Sequence, residues 1–383
     1  MRPLGGWIFG WLADTRGRKF SMMVSVFMMS AGSLLIAVIP TYAQIGMLAP
    51  VVLLAARLIQ GLSVGAEYGT GATYISEIAR KGRRGFFGSF QYATIIMGQL
   101  AALGTIIVLQ NLLSEEQLSA WGWRIPFAMG AVGAVVVVYL RRAMTETASD
   151  KEMHRKEAGS LKGLLRHKRA ALLVVMFTAG GSLWFYTFTT YMQKFLVVSG
   201  GFDKSTVSTI MTAALVCFMI AQPLFGMLAD RIGVRTHMLL FTGLATLLAA
   251  PILFAIQSTT SPFQAFLLVL SGLLIAAFYT PISGLVKADL FPPSIRALGV
   301  GFPYAIGNAA FGGTAEYVAL WMRSAGIETT FFYYVAALAS VGFIASLLLP
   351  NLRRHGYLDG DGRIEENVAL GGTKTAEPIA QRA

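Results

Sequence analysis

Apolar residues along this chain do not alternate with polar ones; they run on. Ten stretches are each long enough for a helix to cross about 30 Å of hydrocarbon. They run roughly from Phe20 to Ile39, Pro50 to Ile75, Phe86 to Leu109, Trp123 to Leu140, Ala170 to Val198, Ser205 to Leu228, Met238 to Ile256, Phe263 to Val286, Ala297 to Trp321 and Thr330 to Leu349. A ten-residue stub, Pro3 to Leu12, is too short to span and lacks the basic leader of a signal peptide, so it reads as the tail of a helix. The pattern predicts an all-α polytopic membrane protein. Its longest internal polar segment, 141–169, separates 1–140 from 170–350, and the tail 351–383, without an apolar period, predicts disorder.

Composition sharpens this picture. Of 383 residues 55% are apolar and 13% charged, against roughly 25% charged in soluble domains. The net charge of +12 raises the question of nucleic acid, but the placement of the charges answers it. Segments 13–19, 79–85, 141–169, 230–236, 287–296 and the tail hold 25 of the 31 lysines and arginines. That asymmetry predicts that these segments and the C-terminus are cytoplasmic, with the lipid bilayer and not nucleic acid as the partner. Cys217 is the single cysteine, and His154, His167, His237 and His355 fall in polar segments or at their edges, which predicts no metal site. With no HExxH, GxSxG or P-loop, the chain carries no recognisable catalytic set and no cofactor is expected.

An internal repeat sets the architecture. GWLADTRGRK at 10–19 recurs as GMLADRIGVR at 226–235, an offset of 216, and the pair Glu77 and Arg84 recurs as Asp289 and Arg296, an offset of 212. Two halves of like topology joined by a polar segment form the parallel-repeat design of many carriers. In the second half 56 residues lead from the start of the first span to Gly226, whereas nine precede Gly10. The arithmetic predicts that about 47 residues, one helix and part of another, are absent from the start, and that the chain as given does not transport.

These motifs resemble the major facilitator superfamily, with GxLADxxGRK after the second helix and an acid and Arg pair ending helices four and ten. Within it, MRPLGGWIFGWLADTRGRK, ARLIQGLSVGAEYGTGATYISE and WGWRIPF resemble the bacterial metabolite:proton symporters. GSFQYATII, AGSLKGL, FYTFTTYMQKFL, IMTAAL, RALGVG and NAAFGGTAEYVAL resemble members of that family that carry alpha-ketoglutarate. The resemblance implies two six-helix repeats, here lacking helix one and part of helix two. It implies proton-coupled import of alpha-ketoglutarate or a similar dicarboxylate by alternating access, with citrate, shikimate, proline or betaine as alternatives. The implied setting is the bacterial cytoplasmic membrane, as a monomer, with a small organic acid and protons as partners.

Charges within the spans are the candidate functional residues, since each is costly unless it faces a partner or a wet cavity. Arg57 lies too deep to snorkel, and the resemblance implies that it faces an acid on helix one and serves proton coupling. Arg2 lies twelve residues before Asp14, roughly 18 Å along a helix and so near the midplane, where its guanidinium can hold a carboxylate by two parallel bonds. Lys194 is a candidate for the second charge of a dianion, with snorkelling as the other reading. Tyr186, Tyr191, Gln91, Tyr92, Gln99, Tyr279, Asn308 and Glu316 are candidates to complete the pocket, helix packing being the alternative for each. Gly10, Asp14, Arg18, Glu77 and Arg84, with Asp230, Arg235, Asp289 and Arg296, sit where charge-assisted bonds can hold the two halves closed as a cytoplasmic gate. Asp289 stands where the family usually has Glu, which predicts a looser second lock.

Overall fold

The computed structural model describes residues 1–358. Its helices are α1 (Arg2–Arg16), α2 (Arg18–Val38), α3 (Leu48–Ile78), α4 (Arg84–Leu112) and α5 (Gly122–Arg142) in the first half. The second half holds α6 (Lys168–Val198), α7 (Lys204–Ile232), α8 (Val234–Ser258), α9 (Pro262–Asp289), α10 (Arg296–Gly307), α11 (Ala315–Ser324) and α12 (Glu328–Leu347). Among the described residues nine helices are long and apolar enough to cross a membrane. The ninth expected span, Ala297 to Trp321, is not one helix. It divides into α10, a π-turn at Asn308–Gly312 and α11, because the Gly313 amide reaches back to the Asn308 carbonyl at 2.7 Å and breaks the regular ladder.

The repeat seen in the sequence is built into the corners. Gly17 joins α1 to α2 at φ 101°, and Gly233 joins α7 to α8 at φ 96°, a backbone conformation open to glycine and strained for other residues. Asp203 caps α7 by accepting from the Thr206 amide and hydroxyl at 2.9 and 2.7 Å, bonds that favour its charged form and hold its carboxyl below the usual range. The core is densest in the second half, where Phe177, Trp184, Phe188, Phe241, Phe331 and Phe332 are almost fully buried. In α5, by contrast, Ala131 and Ala134 alone are buried between Ile125 and Arg142. Apolar residues such as Phe27, Val132 and Leu247 point outward, as a lipid-facing surface requires.

Two polar segments gain structure from what they touch. Segment 141–169 contains short helices at Asp150–Met153 and Leu161–Arg166 and crosses the face carrying most of the Lys and Arg, here termed the basic face. There Glu146 accepts from the Arg18 and Lys19 amides at the start of α2, while the Gly159 amide donates to the Ser294 carbonyl of the other half. The expectation of a disordered tail needs correction over its first eight residues. Leu352–His355 is helical with Leu352 buried, and the Leu358 amide donates to Asp289 at 2.7 Å. Positions 359–383 lie outside the described residues.

Candidate functional site: a cavity beyond paired contacts on the basic face

The first turn of any helix leaves its amides without intrahelical partners, and an acid placed there is held by those donors and by the helix dipole. The two halves meet through two such ends. Asp14 of α1 accepts from the Ala297 and Leu298 amides at the start of α10, at 3.0 and 2.9 Å. Its repeat partner Asp230, on α7, accepts from the Gly85 and Phe86 amides at the start of α4, at 2.7 and 3.0 Å. Each half therefore caps a helix of the other. Gly10 allows the first contact, since a Cβ there would stand 2.7 Å from the Leu298 Cα.

A charged bridge reinforces one of the two contacts. Glu77 lies 3.3 Å from Arg18 of its own half and 2.9 Å from Arg296 of the other, and Arg18 also donates to the Pro293 carbonyl at 2.8 Å. Around Asp230 the position matching Arg18 is Val234. Arg235 instead donates to the Leu347 carbonyl within its own half, at 3.0 Å, as Lys19 does to the Arg142 carbonyl at 2.7 Å. Arg235 thus ties down the last helix of its half and does not bridge the halves, a correction to its expected place in a gate. Asp289 binds the Leu358 amide of the segment after α12 at 2.7 Å. Arg84 lines a 520 Å³ cavity on the basic face together with Asp230, Val234, Arg235 and Asp289.

Farther from this face the halves part around a 440 Å³ cavity lined by Arg2, Tyr186, Thr190, Ala309, Gly312 and Glu316, among others. Tyr186 immediately precedes a π-turn at Thr187–Tyr191, and Ala309 and Gly312 belong to the π-turn after α10, so irregular backbone lines the cavity from two sides. Arg2 donates to the Tyr186 hydroxyl at 3.0 Å, and among the described residues no carboxylate lies within ion-pair range of it.

Residues 1–149 match the Sugar (and other) transporter family and residues 194–365 the Major Facilitator Superfamily. The alpha-ketoglutarate permease of Escherichia coli K12 is 58% identical over 349 residues, covering 91% of this chain and 81% of that protein. The chain belongs to the major facilitator superfamily. The E. coli inner membrane metabolite transport protein YhjE is 31% identical over 92% of this chain and 82% of its own length. Among solved structures, the proton:xylose symporter XylE shares the fold with a TM-score of 0.73 at 16% identity, covering 91% of this chain and 82% of XylE.

The facilitator fold brings some of the expected pocket residues together and disperses others. Lys194 forms an ion pair with Glu316 at the rim, both partly exposed. Tyr191 turns away from Arg2 and packs on Phe331 at 5.4 Å, so it belongs to the core of the second half. Gln91 sits beside Gly284, and Gln99 lines a separate 240 Å³ cavity with Thr189, Thr190 and Gln193. Asn308 is buried with its side-chain carbonyl unpartnered. Arg57, on α3, donates to Gln60 at 3.1 Å and lies 5.2 Å from the Phe127 ring centroid, with no described carboxylate as partner. Arg124 donates to the Ile39 carbonyl at 2.7 Å and lies against Trp123, as an interfacial anchor does.

Two charged groups escaped the sequence reading. Glu67, inside the glycine-spaced stretch of α3, pairs with Arg141 at 2.9 Å and accepts from Ser25 at 2.7 Å. Lys287, counted above among the loop cations, is buried near the end of α9 and 1% exposed. Its ammonium donates to the hydroxyls of Tyr68, Tyr279 and Ser283 at 2.8, 3.0 and 2.7 Å. A signal was present: Tyr279, Ser283 and Lys287 are spaced by four, the spacing of one helix face, although the backbone at 277–282 departs from a regular α-helix.

Proposed function

We propose that this facilitator imports alpha-ketoglutarate, or a dicarboxylate of similar size, with protons across the bacterial inner membrane by alternating access. The basic face is the cytoplasmic one under this reading, because positive residues concentrate in cytoplasmic loops, and the C-terminus is cytoplasmic with it. The observation that carries the proposal is Arg2. Its guanidinium faces a cavity between the halves, while the cavity's carboxylate, Glu316, is already paired with Lys194. The uncompensated charge suits an anion, and its planar fork suits a carboxylate. The named substrate of the 58% identical permease supports the same class.

With the basic face cytoplasmic, its closed contacts and the cavity beyond them fit a carrier facing outward. Substrate binding and loss of the contacts at Asp14 and Asp230 then release the inner mouth, and the protein acts as a monomer. Arg57 remains the residue proposed for proton coupling, through a carboxylate whose proton affinity depends on whether the guanidinium is near.

Labelled alpha-ketoglutarate uptake into proteoliposomes tests the proposal, with succinate, citrate, shikimate and proline as competitors. Uptake should saturate, rise as the outside is acidified, collapse with a protonophore and be inhibited best by succinate. Uptake unchanged without a proton gradient removes the symport claim, and preferential inhibition by shikimate or proline removes the dicarboxylate claim. Arg2→Lys keeps the charge but loses the fork, so KM should rise by about tenfold or more with normal membrane insertion.

A further inference from the structure

A lysine buried inside a membrane protein persists only with compensation, because its ammonium gives up water. Lys287 has no carboxylate within ion-pair range among the described residues. Its compensation is three hydroxyls and the faces of Tyr68, Tyr279 and Tyr304, whose ring centroids lie 4.8, 5.3 and 4.5 Å from the ammonium. These groups come from both halves. Tyr68 belongs to the first, while Tyr279, Ser283 and Tyr304 belong to the second along with Lys287 itself.

The site also has a defined depth. Tyr68 precedes Glu77 of the lock by nine residues on α3, roughly 13 Å, and Arg2 precedes Asp14 by twelve on α1, roughly 18 Å. Lys287 therefore lies between the Arg2 cavity and the lock. Tyr304, on α10, stacks on Tyr68 at 3.5 Å. In the closed arrangement the two rings and the three hydroxyls fill the space in which a ligand of the ammonium would sit. Parting the halves on the basic face carries Tyr68 away and strips the ammonium of part of its shell, with Ser283 and Tyr279 left as partners.

We propose that Lys287, flanked by Ser283 and Tyr279, is a carboxylate-binding site of the inward-facing state, taking the second carboxylate of a dicarboxylate as Tyr68 withdraws. This rests on the dicarboxylate reading above. The anion replaces the departing hydroxyl, so the ammonium is never left bare, and the substrate is handed from the Arg2 level toward the inner mouth. Lys194, held by Glu316 at the rim, then has no part in binding the dianion.

The test compares the two faces in right-side-out and inside-out membrane vesicles, using alpha-ketoglutarate and, as a competitor with one carboxylate fewer, 2-oxovalerate. In Lys287→Met the inner-face KM for alpha-ketoglutarate should rise by about tenfold or more. The inner-face inhibition constant of 2-oxovalerate should change by less than about twofold, because the lost charge has no carboxylate to meet. Lys287→Gln, which preserves a polar partner for the hydroxyls, is read the same way if the Met variant does not reach the membrane. Equal losses for both compounds, or no loss for either, overturn the site while leaving the dicarboxylate reading intact. A wild-type protein with no dicarboxylate flux overturns both.

Discussion

The two locks on the basic face are copies of one sequence set in different surroundings. Asp14 is fully buried and has Arg18, Glu77 and Arg296 around it, with Arg18 3.5 Å from its carboxylate. Asp230 makes the same pair of bonds to helix-end amides but is half-buried at the edge of a 520 Å³ cavity, with Val234 where its copy has Arg18. Identical first-order chemistry, an acid on a helix N-terminus, thus sits in two settings. In the buried one the bonds face less competition from water and are worth more.

The largest effect should come from removing the buried acid. Asp14→Asn loses a charged acceptor for two amides, worth about 1.5–3 kcal/mol for a hydrogen bond to a charged group, so uptake should fall by about tenfold or more. Asp230→Asn, assayed in the same vesicles, should cost several-fold less. Equal losses would show that burial does not distinguish the locks. Next in size is Glu77→Gln, which leaves Arg18 and Arg296 facing a neutral amide; labelling of single cysteines introduced on the basic face, in a Cys217→Ser background, should increase in this variant without substrate. A smaller, opposite effect is expected from Val234→Arg, which puts a cation four residues after Asp230, as Arg18 stands four after Asp14. An added partly exposed pair is worth up to about 1 kcal/mol, so exchange should slow by roughly two- to fivefold. Faster exchange would mean that the second lock is not limited by charge. Smallest are Lys19→Leu and Arg235→Leu, which release helix ends within one half each. Both should change transport by less than about twofold, and a large loss in Arg235→Leu alone would return that residue to the gate.

Much of this was legible in the sequence because spans, charge bias and repeats are properties of composition and order. The apolar runs gave the helices to within a few residues, and the offset between Asp14 and Asp230 marked both acids that cap a partner helix. Three features were hidden for physical reasons. The span from Ala297 to Trp321 is broken by backbone geometry at Asn308 and Gly313, which hydropathy does not register. Lys287 follows an apolar run and precedes Asp289, so a count of charges by loop placed it in water, although its four-residue spacing from Ser283 and Tyr279 pointed inward. Arg235 aligns with Lys19 and not with Arg18, a one-residue difference that moves a side chain about 100° around a helix and from one partner to another. Tyr191 and Gln91 show the same limit: residue type made them candidates, but the direction of the side chain is decided by packing.

Bonds at the start of α10 and α4 are expected to hold the basic face closed, with the larger share at Asp14. Pulsed EPR distances between spin labels placed on the two halves at that face, in a background where Cys217 is replaced by Ser, test it directly. The account predicts one short distance in the otherwise unmodified protein and a second, longer population in Asp14→Asn before any substrate is added. Identical distance distributions in the two proteins would contradict it.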